Sequence, residues 1–266
     1  MTKLATILVV LALAACTSGP SGRFTVNGHE LALTCDGGPG PTVVFEPGVG
    51  GDHSLWPIAD RIRDQALACV YDRAGNGDSG VPDERMTART DVADLHALLE
   101  VANIPRPVII VGHSYGGMVA WIEAVEHPDE VVGIVLIDGP PPSGSDLLES
   151  VLTDGERQRF HDAFVDFPYV DFYASQAEAA SVYGVQPDAY LTVITATNSM
   201  QPWCEASLPC DEMQIAALTL AEEFAADHPA ARHVKAETSH YVQDDDPDLV
   251  VSEILRIVNL VSETDR

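Results

Sequence analysis

Val108-Ile-Ile-Val111-Gly112-His113-Ser114-Tyr115-Gly116-Gly117-Met118-Val-Ala-Trp-Ile-Glu-Ala-Val125 is the stretch of this chain whose reading decides the fold. Its first four residues form an unbroken β-branched run, which suits a parallel strand buried on both faces. Gly-x-Ser-x-Gly follows at once, and then a helix-forming apolar segment. The pattern is therefore strand, sharp turn, helix. Glycines at 112 and 116 are expected because a Cβ would clash at so tight a bend. The turn lifts the Ser114 hydroxyl above the carboxyl end of the sheet. It also aims N–H groups at the helix start toward any oxyanion formed there.

Strand-like runs recur on either side, at Leu31–Cys35, Val43–Phe45, Cys69–Tyr71, Val131–Ile137, Leu191–Thr195 and Arg232–Ala236. Helical stripes lie between them: Val92, Leu95, Leu98, Leu99 and Ala102 form one, Val251, Ile254, Leu255 and Val258 another. Asp246 reads as the N-cap of the second, with Pro247 at its first position. This alternation predicts an α/β domain over 23–266 built on a doubly wound, mostly parallel sheet. Residues 139–190 hold no convincing strand but carry Phe160, Phe164, Phe167, Phe172, Tyr173 and Tyr183. We read them as a helical cap inserted between two sheet strands, with aromatic groups suited to a pocket wall.

A serine hydroxyl is a weak nucleophile and needs a base, held in turn by a carboxylate. His240 follows the last expected strand and precedes the last helix, at the edge where α/β proteins gather reactive groups. It is the candidate base. His113 reads as a structural member of the turn, and the remaining histidines, His96 and His127 among them, as ordinary.

The N-terminus is read as an address. Lys3 precedes an apolar run from Leu4 to Ala15, too short for a spanning helix and fitting a secretory signal peptide over 1–15. Leu13-Ala-Ala-Cys16 resembles the lipobox of bacterial lipoproteins, so Cys16 is the expected lipidated residue and 16–22 a flexible tether. The chain is then exported, with a lipid anchor as its sole membrane contact. Four cysteines remain: Cys35, Cys69, Cys204 and Cys210. Their even number suggests two disulfides. Cys204 and Cys210 lie six apart in a Pro-containing loop and are natural partners, leaving Cys35 with Cys69. Neither pair has metal-ligand spacing, and no metal is expected.

Composition sets the outer bounds. The 266 residues are 46% apolar and 21% charged, which excludes disorder. Fourteen Lys and Arg face 41 Asp and Glu, a formal charge of -27 that would repel nucleic acid.

Taken together, Gly112–Gly116, the segment Tyr71-Asp-Arg-Ala-Gly-Asn-Gly-Asp-Ser79 and Ser239-His240 ahead of Asp246-Pro247 resemble the α/β-hydrolase fold family, in its cap-bearing, esterase-like branch. The resemblance covers nearly everything from Gly28 to Val261. It implies neighbouring second and fourth strands, in agreement with a Cys35–Cys69 bond. It implies an oxyanion hole made by the N–H of Tyr115 and one from the loop Glu46-Pro-Gly-Val-Gly-Gly51, for which Val49 is the choice beside Gly50. Asp36-Gly-Gly-Pro-Gly40 resembles an oxyanion segment of proline iminopeptidases but precedes the strand at 43–45, and we read it as a hairpin turn. The family's triad acid most often follows its seventh strand, where this chain has no aspartate. Some members place it after the sixth, which selects Asp138; Glu205 and Asp211 are the alternatives. The implied activity is cofactor-free serine hydrolysis of small to medium, partly hydrophobic carboxylic esters. Aminopeptidase, lactonase and peroxidase chemistry on the same triad, or a non-catalytic binding lipoprotein, are the other classes considered.

Overall fold

The computed structural model describes residues 17–139, 146–165, 167–201, 204 and 208–264. The signal segment 1–15, Cys16 and Glu205 lie outside the described residues. Eight strands form one sheet in the order β1-β2-β4-β3-β5-β6-β7-β8. They are β1 (Thr17–Val26), β2 (His29–Gly37), β3 (Thr42–Glu46), β4 (Leu67–Tyr71), β5 (Val108–His113), β6 (Val131–Ile137), β7 (Tyr190–Asn198) and β8 (Arg232–Ser239). β2 runs antiparallel to both β1 and β4, and every other neighbouring pair is parallel. This is the doubly wound, mostly parallel sheet that the alternation predicts.

The two faces of β5 show why its run is unbroken. Val108 and Ile110 enter one buried cluster, with Leu95 and Leu98 of α1 (Ala88–Val101) and Met118, Val119 and Trp121 of α2 (Tyr115–Glu126). Ile109 and Val111 enter a second cluster on the opposite face, with Val250, Ile254, Ile257 and Val258 of the C-terminal helix. Each such side chain, fully buried, contributes about 1.5–3 kcal/mol. Both faces must be apolar, so the strand cannot alternate.

Among the described residues, three helices lie between β6 and β7: α3 (Asp146–Ser150), α4 (Asp154–Val165) and α5 (Phe172–Ser181). A helical insertion therefore stands where the cap is expected. Its aromatic residues pack mainly into the helical layer. Phe172 is buried in the α1–α2 cluster, and Phe160, Phe167, Tyr173 and Tyr183 pack against that cluster. α5 lies on α1 and α2, so its apolar face is consumed by the helical layer. Among the described residues after β7 three further helices follow: α6 (Cys210–Asp227), α7 (Val242–Asp245) and α8 (Pro247–Thr264). The Asp246 carboxylate accepts the N–H of Leu249 at 3.1 Å, capping α8.

Two expectations are corrected. The segment Thr17–Gly22, expected as a flexible tether, belongs to β1 and pairs with β2 from Thr17 onward, with an irregularity between Ser18 and Ser21. Pro20 within that irregularity has no N–H to give the ladder, and small polar residues leave the edge backbone free to pair. Asp36–Gly40 is no hairpin either, because β2 and β3 are separated by β4. Cys35 and Cys69 are register partners across β2 and β4, with Cα atoms 4.0 Å apart, and form a disulfide. Cys204 and Cys210 form the second. Among the described residues no helix is long and apolar enough to cross a membrane.

Candidate active site

Ser114 sits between β5 and α2 with φ 54° and ψ -120°, in a region that residues with a Cβ seldom enter. Its surroundings leave no alternative path for the chain. A Cβ at Gly116 would collide with the carbonyl oxygens of Glu46 and Pro47, and one at Gly112 with the carbonyl of Gly116. The Ser114 N–H donates to the Ile137 carbonyl at 3.0 Å, tying the turn to the end of β6. Strain of this kind costs of order 1–3 kcal/mol and persists only where neighbours enforce it.

Asp138 directly follows β6, also with positive φ, 44°. Its carboxylate accepts the Ala196 N–H at 2.9 Å, the Ser199 hydroxyl, and Nδ1–H of His240 at 2.7 Å. His240 is 8% exposed. Its loop is held by Asp245, which accepts both the N–H and the hydroxyl of Ser239. From the other side, Nε2–H of His113 donates to the His240 carbonyl at 2.9 Å. Burial, followed by the nearby His240, pushes the His113 pKa down to about 3, so the ring stays neutral. Ser114, His240, His113, Tyr241, Leu55 and the loop Gly48–Gly51 line one cavity of about 190 Å³. Phe167 of the β6–β7 insertion stands against this lining, since a Cβ at Gly50 would meet its ring at 3.3 Å.

The loop after β3 is fixed by a buried guanidinium. Arg73, 2% exposed, donates to the Glu46 carboxylate and, at 2.5 Å each, to the carbonyls of Pro47 and Gly48. Its Nε lies 3.7 Å from Asp91, and Tyr71 donates its hydroxyl to Glu46. In a trans peptide the C=O and N–H point in opposite directions. Gripping the Gly48 carbonyl from one side therefore turns the Val49 N–H to the other. Tyr115 opens α2, so its N–H has no partner within the helix. Its side chain points away into the core, donating to Asp91 at 2.6 Å.

The structure thus brings Ser114, His240, Asp138, Tyr115 and Val49 to one sheet edge. Asp211 is exposed in the first turn of α6. Three contributors escape the sequence reading: Arg73, Ser199 and the His113–His240 link. Arg73 lies inside the quoted Tyr71–Ser79 motif, and that is the one signal it gave.

The model of the Alpha/beta hydrolase family matches residues 43–253, and the chain belongs to that family. Over 126 residues it is 37% identical to the uncharacterized protein YqjL of Bacillus subtilis, covering 47% of this chain and 49% of that one. A 2-(acetamidomethylene)succinate hydrolase of Mesorhizobium japonicum is 27% identical over 189 residues, 67% of this chain and 65% of the relative. The chain thus spans less than two thirds of the length of these curated relatives. The enol-lactonase from Burkholderia xenovorans shares the fold, with TM-score 0.63 at 20% identity over 90% of this chain and 100% of that one.

Proposed function

We propose that the protein is a serine hydrolase of carboxylic esters. One observation carries the reading: a strained, cavity-lining Ser114 faces the same small space as His240, whose Nδ1 is held by a carboxylate. With Nδ1–H given to Asp138, Nε2 of His240 is the basic nitrogen. It takes the Ser114 proton as Oγ attacks the ester carbonyl. The N–H groups of Tyr115 and Val49 hold the resulting oxyanion. Collapse expels the alcohol, which takes that proton from His240. Water, deprotonated by His240, then attacks the acyl-serine and releases the acid, restoring Ser114. The chemistry needs no cofactor. The cavity of about 190 Å³ is smaller than the usual 300–1,000 Å³ of drug-sized sites and favours short acyl groups, the lower end of the small to medium range.

A fluorophosphonate probe tests the assignment. Labelling of the wild type and its loss in Ser114→Ala support it; a folded wild type that takes no label overturns it. A panel of esters, amides and lactones then ranks the acyl chemistry. The activities named for relatives, hydrolysis of an acetamidomethylene succinate and of an enol-lactone, set useful members of that panel.

Residues 1–15 serve, in the same proposal, as an export signal, with Cys16 carrying lipid. The Leu13-Ala-Ala-Cys16 sequence and two disulfides support this reading. β1 starts at the following residue, which would hold the sheet edge against the membrane surface. Radioactive fatty acid should label the chain through Cys16; a Cys16→Ala variant that still labels rejects the anchor.

A further inference from the structure

The end of α2 remote from Ser114 carries a second cluster of chemistry-bearing side chains. Glu123 and His127 are four apart and share one helical face. α1 packs alongside and presents His96, and Glu130 follows in the turn before β6. His96 Nδ1 lies 3.6 Å from Glu123 Oε1 and 3.4 Å from Glu130 Oε2. His127 Nε2 lies 3.9 Å from Glu123 Oε2. One ligand atom from each of His96, Glu123 and His127 falls within 4.8 Å of the others. The two imidazoles stack, with ring centroids 4.0 Å apart.

These contacts are too long to be hydrogen bonds, or lack the geometry of one. Glu123 is 1% exposed and its Oε2 has no hydrogen-bond partner. His96 Nδ1 is likewise buried without one, whereas Glu130 Oε2 is already ion-paired with Arg106. A buried carboxylate left in that state is costly and calls for an explanation. The neighbouring cations do not supply it. Arg106 pairs with Glu130 at 2.8 Å and donates to the His96 carbonyl, and Arg89 is engaged by Glu126.

We propose that His96, Glu123 and His127, with Glu130 as a fourth donor, bind a divalent transition-metal ion of the zinc class. Ligands at the usual zinc distances stand about 3.4 Å apart on a tetrahedron, and the His96–Glu123 and His96–Glu130 separations of 3.6 and 3.4 Å fall close to that. Two imidazoles with carboxylate oxygens favour zinc and its neighbours over magnesium or calcium. The ion would clamp α1 to α2 and the β6 turn roughly 15 Å along the helix from Ser114, a structural role separate from hydrolysis. It also departs from the expectation of no metal, which rested on cysteine spacing. These donors come from three segments that only folding brings together.

The test uses the full-length chain, freed of metal with a chelator and titrated with zinc against a chromophoric competitor. We expect one zinc per chain at micromolar affinity or tighter, and a higher melting temperature with zinc. His96→Gln and His127→Gln should each weaken binding at least about tenfold. Both side chains are about 30% exposed or less, so the replacements are tolerable to the fold, as circular dichroism can verify. Glu123→Gln should weaken it similarly. The cluster Asp52, His53 and Asp72 serves as control, and His53→Gln should bind zinc as the wild type does. No binding at 100-fold excess zinc, or an unchanged affinity in the His96→Gln/His127→Gln double variant, overturns the proposal. So does loss of binding in His53→Gln alone.

Discussion

Nδ1 of His240 lies 2.7 Å from Oδ2 of Asp138, joining the loop after β8 to the end of β6 across 102 positions of sequence. Asp138 reaches it by adopting a positive φ, as Ser114 does at the end of the adjacent β5. Two neighbouring strands thus end in left-handed, non-glycine residues, and both aim polar side chains at the same edge. Such strain is retained where the surrounding structure over-determines it.

Loss of the Asp138 carboxylate should disable the proposed base. Asp138→Asn is expected to lower kcat by up to about 10⁴-fold, because the amide no longer holds the imidazole in its working tautomer. Glu205→Gln and Asp211→Asn should remain near wild type. Steady-state hydrolysis of a short chromogenic ester measures all three, and a near-normal Asp138→Asn would retire this carboxylate.

Arg73 is expected to act at a distance, as a positioning residue. Arg73→Leu removes the grip on the Gly48 carbonyl, and kcat should fall about 10²–10³-fold while KM changes little. The same change leaves Glu46 and Asp91 buried without their cation, destabilising the fold by about 3–5 kcal/mol. Urea unfolding and ester kinetics below the variant's melting temperature separate the two effects. A fall in stability with normal kcat would confine Arg73 to a structural role.

Stability should decline with rising pH through the Asp91 carboxyl. Burial raises its pKa from 3.8 to about 7, against the opposing influence of Arg73 and the Tyr115 hydroxyl. Between those values the folded chain holds a proton that the unfolded chain has released. The Asp91 contribution to the unfolding free energy therefore falls as pH rises across the window, by at most about 1.4 kcal/mol per pH unit, and levels off above 7. Asp91→Asn should flatten the decline. Urea midpoints at the two ends of the window measure this, and parallel behaviour of variant and wild type would count against it.

The two disulfides should differ in weight. Cys35–Cys69 spans 34 residues and Cys204–Cys210 only 6. On chain entropy alone these closures contribute about 4 and about 2 kcal/mol. Cys35→Ala/Cys69→Ala should thus melt well below Cys204→Ala/Cys210→Ala by calorimetry. The reverse order would show that native-state packing outweighs loop closure here.

Much of this was legible along the chain. The run Val108–Val111 required two buried faces, and the glycines around Ser114 required a turn with no room for Cβ; both are local consequences of residue type. Sequence also drew attention to His240 as the end of an element, because reactive loops gather at the carboxyl edge of such a sheet, whereas Asp138 came from the family resemblance alone. Local chemistry misread Thr17–Gly22, since pairing of an edge strand depends on a partner, β2, and not on propensity. It leaves the partners of the aromatic residues in the β6–β7 insertion open for a similar reason. Helical spacing shows that Phe172 has a face to bury, but only the position of α1 and α2 decides what covers it. Arg73 on the Gly48 carbonyl and His96 beside Glu123 are wholly tertiary facts. Short-range sequence governs backbone conformation and burial pattern, whereas the approach of charged groups from distant segments exists only once the sheet order and helix packing have brought them within a few ångströms.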